Sequence, residues 1–133
     1  MSASPNRLTA IIVGAVYLLL GGGGFAVTMG IGFLAVPGGL LLGVLEVNGL
    51  HNVVHIVLGA ALLLAGVAGA PAAKTVNGVV GAACLVLGLV GLFIVGTPYN
   101  VLAINGADNV LHFGTSVVLL AVSLGAERVA RTP

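Results

Sequence analysis

Four apolar stretches divide this chain, at about residues 8–30, 50–70, 76–96 and 107–126. Each reaches the roughly 20 residues that a helix needs to cross the hydrocarbon of a bilayer. Apolarity continues around every side of such a helix, which means lipid or other helices on all faces. A closed barrel would show alternating segments of about 10 residues instead, and these are absent. Only seven side chains are charged, or 5% of 133 residues, against about 25% in ordinary globular domains. That number cannot cover a water-exposed surface, so a soluble enzyme and a disordered chain are both excluded. The net charge of +1 offers no basic footprint for nucleic acid. One cysteine allows no intramolecular disulfide. The expected fold is all-α: a single transmembrane domain in which four spans form an integral membrane helix bundle, with the lipid bilayer as its first partner.

The four basic residues, Arg7, Lys74, Arg128 and Arg131, fall in the N-terminal tail, the connection between spans two and three, and the C-terminal tail. The other two loops contain none. Basic residues collect on the cytoplasmic side, so both short tails are expected in the cytoplasm of a plasma-membrane protein, with residues 31–49 and 97–106 facing outward. The first apolar run extends well past the length of a signal peptide, which favours a retained span over a cleaved leader.

An internal repeat is visible. Residues 48–55 (NGLHNVVH) align with 105–112 (NGADNVLH) at an offset of 57, and residues 13–21 (VGAVYLLLG) align with 80–88 (VGAACLVLG) at an offset of 67. Gly24 then matches Gly91. The expected architecture is two helical hairpins in tandem, a parallel repeat related by a pseudo-two-fold axis along the membrane normal. Small residues form one stripe on span one (Gly14, Gly21, Gly24, Thr28) and another on span three (Asn77, Gly81, Cys84, Gly88, Gly91). Such stripes permit close helix crossing in lipid, within the chain or between copies in a homo-oligomer.

Helical spacing puts Asn48, His51, Asn52 and His55 on one side of span two, and Asn105, Asp108, Asn109 and His112 on the same side of span four. All three histidines of the chain lie in the two motif copies. One reading is structural. Asn48 and Asn105 are good N-caps, Asp108 stands where a capping box places an acid, and Asn52 and Asn109 can bridge helices. A second reading is a divalent transition metal held by His51, His55, Asp108 and His112. A third is a b-type haem between His55 and His112, the one histidine pair at equivalent positions. A proton relay through the histidines is a fourth. Glu46 reads as a solvated interfacial carboxylate, Cys84 as a packing residue, Tyr99 as an interfacial anchor, and residues 40–45 as a short amphipathic or re-entrant piece. No phosphate loop, nucleophile elbow or kinase signature is present, so an enzyme is not expected.

The motif Asn-x-x-His-Asn-x-x-His-x-x-x-Gly over residues 48–59, with Asp108-Asn109-x-x-His112 in the fourth span, resembles a family of small bacterial membrane proteins catalogued as domain of unknown function 4383. The resemblance covers about residues 8–125. It implies four spans and brings no established activity. The expected role is that of an accessory or assembly protein with a membrane-protein partner, with a metal- or haem-binding redox or transport component as the alternative.

Overall fold

The computed structural model describes residues 4–125. Four helices, α1 (Pro5–Val27), α2 (Gly49–Ala68), α3 (Ala70–Ile94) and α4 (Gly106–Gly125), are joined by two longer connections at the end expected to face outward and one tight turn at the other. Each is long and apolar enough to cross a membrane, and together they form a four-helix bundle. α1 packs most extensively on α2, and α3 on α4, with smaller contacts joining the two pairs.

Local chemistry explains where the helices start. The Ser4 hydroxyl accepts from the Arg7 N–H at the head of α1, and Pro5 occupies a first-turn position where its missing N–H costs nothing. α3 begins at Ala70, some six residues before the apolar run suggests, because Pro71 and Lys74 are tolerated in a first turn. Gly69 alone separates α2 from α3. Its φ of 143° lies in a region that a side chain would strain, which is why a one-residue reversal is possible there.

The small-residue stripes are crossings. A Cβ at Gly14 would come within 2.7 Å of the Leu63 nitrogen and 2.8 Å of the Gly59 carbonyl. One at Gly59 would meet the Leu18 nitrogen at 2.7 Å. α1 and α2 therefore touch backbone to backbone, where a methyl group would force them apart. Tyr17, Leu62, Val80, Cys84 and Leu119, drawn from all four helices, close the centre of the bundle.

The first outer connection holds a small antiparallel hairpin, β1 (Gly39–Leu41) with β2 (Leu45–Val47), pairing Gly39 with Val47 and Leu41 with Leu45. Residues 40–45 thus belong to a short two-stranded piece whose burial alternates along each strand. Leu42 and Gly43 turn the chain with φ of 54° and 75°, and Leu41, Leu45 and Val47 are buried against Leu20, Val27, Ala107 and Leu111. The hairpin covers the ends of α1 and α4. At the opposite end, Arg7 donates through Nε to the Gly66 carbonyl at 3.0 Å, and Ser123 to the Lys74 carbonyl at 2.9 Å. Asn77 there donates to both Asn6 oxygens. Arg7 and Lys74 therefore share one end of the bundle, while Glu46 and Asp108 share the other. Arg128, Arg131 and the expected last residue of span four, Ala126, lie outside the described residues.

Candidate functional site

The hairpin end contains a concentration of buried polar side chains that an apolar bundle does not need for packing. It is assembled from the starts of α2 and α4. Asn48 caps α2, its Oδ1 accepting from the His51 N–H at 3.0 Å, and its amide donates to the Ala35 and Val101 carbonyls. One side chain thus ties both outer connections to the helix. At α4, Asn105 Oδ1 accepts from the Asp108 N–H at 3.0 Å, and Asp108 Oδ2 accepts from the Asn105 N–H at 2.9 Å. This is a reciprocal capping box. Asp108 Oδ2 also accepts from the Glu46 N–H at 3.2 Å, fastening β2 to α4.

The second asparagine of each motif lies against a glycine of the preceding helix. Asn52 sits on Gly24 and Asn109 on Gly91, so closely that a Cβ on either glycine would overlap the amide. The sequence offsets of 57 and 67 carry the first contact onto the second. Asn52 Nδ2 donates to Thr28 Oγ1 at 3.0 Å, and Thr28 donates on to the Gly24 carbonyl. These contacts set the rotation of α2 and α4 about their axes, and so the direction in which the histidines point.

His51, His55 and His112 are 1%, 0% and 1% exposed. Their ring centroids form a triangle with sides of 4.3, 5.7 and 6.3 Å. One nitrogen from each ring lies within 4.8 Å of the other two. Nδ1 and Nε2 of His51, Nδ1 and Nε2 of His55, and Nδ1 of His112 are all buried and make no hydrogen bond. Five of six imidazole nitrogens thus stand without a partner. A buried polar group left without a partner costs about 1–3 kcal/mol, so the cluster is unfavourable unless something binds these nitrogens. The asparagines hold the helix starts together; the histidines do not take part in that bonding.

Asp108 lies outside the three-histidine group. It is fully buried, one oxygen is used by the cap and by Glu46, and Oδ1 is unpartnered. Sequence reasoning did not bring Tyr17 into the cluster. Its ring meets His55 edge-on at 5.1 Å, its hydroxyl donates to Thr115 Oγ1 at 2.9 Å, and Cys84 Sγ lies 3.6 Å from that hydroxyl. The signal available was its position on the small-residue stripe, aligned with Cys84 in the repeat. Glu46 is half-buried, not freely solvated: its Oε1 accepts from the Gly38 N–H at 2.8 Å. Tyr99 is exposed, as an interfacial anchor should be.

No curated protein and no solved structure matches the chain. A family described as Domain of unknown function (DUF4383) matches residues 7–125, all but the two ends of the sequence and including both copies of the Asn/His motif. With four membrane-crossing helices and that match, the chain belongs to the DUF4383 family of membrane proteins.

Proposed function

We propose that this membrane protein binds one divalent transition-metal ion through His51, His55 and His112, and that the ion joins α2 to α4 at the outer end of the bundle. One observation carries the reading: five partnerless imidazole nitrogens on three buried rings, with a ligand atom from each ring within 4.8 Å of the others. Imidazole is a common ligand for zinc and its neighbours, and metal–nitrogen bonds of about 2.0–2.1 Å place tetrahedral ligand atoms about 3.3 Å apart. A contraction of at most about 1.5 Å brings the three ligand atoms to that spacing. Asp108 Oδ1, buried and free of other bonds, is the candidate for the remaining position or for holding a bound water. The donor set is chemically suited to such an ion, and an ion would offset the desolvation of the three buried rings.

A haem fits less well. A macrocycle clamped between His55 and His112 has to pass through the space beside both rings, and His51 occupies it, 4.3 and 5.7 Å from the two. The role we assign is organisational. The metal closes a bundle of two tandem hairpins related by a pseudo-two-fold axis, a symmetry supported by the equivalent Asn52–Gly24 and Asn109–Gly91 contacts. The protein then serves the plasma membrane as an accessory or assembly component, its tails cytoplasmic. The grouping of Arg7 and Lys74 at the end away from the hairpin supports this orientation.

Metal analysis and equilibrium titration with Zn(II) on the purified protein test the proposal. One ion per chain is expected, lost in His55→Ala and in His112→Ala. Neither ring forms a hydrogen bond through its buried partnerless nitrogens, so truncation strands no partner of those atoms. Absence of stoichiometric metal in the wild type after loading with Zn(II), Cu(II), Ni(II) or Co(II) overturns the reading, and a Soret band replaces it with the haem.

A further inference from the structure

An open cavity of about 490 Å³ lies over the hairpin end, lined in part by Pro37, Glu46, Thr97, Asn100, Ile104 and Asn105. Two of these residues also form the roof of the histidine cluster. Glu46 holds its carboxylate at the cavity through the Gly38 N–H, while its own N–H reaches down to Asp108 Oδ2. Asn105 lines the same cavity and exchanges two hydrogen bonds with Asp108. The backbones of Glu46 and Leu102 interact with the His51 ring. Glu46 therefore lines the cavity and also touches both Asp108 and His51.

We infer that this cavity is the loading site from which a metal cation reaches the three histidines, with Glu46 as the first carboxylate to meet it and Asp108 as the next; the inference rests on the histidine centre proposed above. Three observations point the same way. Asp108 is completely buried and keeps Oδ1 unpartnered, although the two residues it bonds, Glu46 and Asn105, both line the cavity. Asn100, almost fully buried, is committed to Ile104 through its amide and its carbonyl, which shapes the wall rigidly. The segments that frame this end, residues 28–48 and 95–105, contain Glu46 and no lysine or arginine. A concave, low-dielectric site of one sign concentrates ions of the opposite sign and raises their capture rate by about 10–1,000-fold. The hairpin therefore has a second use: besides capping the bundle, it presents the carboxylate of β2 to the outer solution.

Zn(II) capture by the full chain in detergent, followed by stopped flow with a chromophoric zinc indicator, separates this inference from the reading beneath it. Glu46→Gln keeps the oxygen that accepts from Gly38 and removes only the charge. It is expected to bind the same one Zn(II) per chain but to load at least ~10-fold more slowly at low ionic strength. The difference should shrink as salt is raised. Val95→Trp, which fills the cavity from its exposed wall, should slow loading in the same way, and Glu46→Asp should restore much of the rate. Wild-type loading rates in both Glu46→Gln and Val95→Trp overturn the loading site while leaving the histidine centre intact. If His55→Ala takes up Zn(II) as the wild type does, the centre is misassigned and both proposals fall.

Discussion

Gly24→Ala tests the contact that orients the histidine-bearing face of α2. A Cβ built on Gly24 overlaps the Asn52 amide, with Cγ at 2.6 Å, where real contacts of this kind do not approach within 3.0 Å. Two responses are open to the chain. Either the helices separate, at an overpacking cost of about 1–3 kcal/mol, or the Asn52 amide swings away. In the second case its bond to Thr28 is lost, and a buried amide is left unsatisfied at about 1–3 kcal/mol. Alanine returns up to about 1 kcal/mol in helix propensity. The net loss is centred near ~1 kcal/mol by either route. Asn52→Ala alone should cost about 0.6–1 kcal/mol, the usual worth of an interhelical polar contact in a membrane. In the double variant the two methyl groups share the space of one amide. The cycle should therefore show a coupling of about 1–2 kcal/mol, well above the few tenths expected of independent sites. Thermal unfolding in detergent, followed by circular dichroism, reads all four corners. Stability in Gly24→Ala equal to or above wild type, or an additive cycle, refutes the packing argument. Gly91→Ala with Asn109→Ala should give a coupling of the same sign and size, because the amide overlaps that glycine in the same manner.

Two further outcomes are expected. Asp108→Asn keeps the side-chain volume but weakens the carboxylate bonds to Asn105 and Glu46; hydrogen exchange at residues 39–48 should speed up several-fold while the centres of the helices stay protected, and unchanged hairpin protection would contradict the assigned anchor. For orientation, a cysteine introduced at the exposed hairpin residue Gly43 should react with an impermeant maleimide added to intact cells, whereas one at Lys74 should react only after permeabilisation. Cys84 is fully buried and adds no background. The reverse pattern would invert the topology.

The helices and the meeting of the motif copies were legible in the sequence because both depend on local pattern. Apolar runs of spanning length have no alternative partner than lipid or one another. Polar residues at spacings of three and four share a helix face whatever surrounds them. The capping box at Asn105 and Asp108 follows from the same short-range logic. What the sequence concealed depends on long-range placement. The strands of the hairpin are three residues each, too short for an alternation to register, and they exist because Leu41, Leu45 and Val47 find apolar cover on α1 and α4. The Asn6–Asn77 pair spans 71 positions and has no local signature. Tyr17 looked like one more residue on a packing stripe, and only the convergence of α1 with α2 and α4 puts it against His55 and Thr115. Glu46 looked solvated because nothing nearby in sequence announces that Gly38 folds back to bind it.

The one-residue reversal at Gly69 has a mechanical consequence. It holds the adjoining ends of α2 and α3 at one depth, so a rigid tilt of one helix against the other about that corner moves their far ends most. About 24 Å of helix separates the pivot from His51 and His55, and a tilt of about 3.5° displaces them by about 1.5 Å relative to His112 on α4. A small tilt at one corner thus resets the spacing between the α2 and α4 imidazoles without unwinding a single turn.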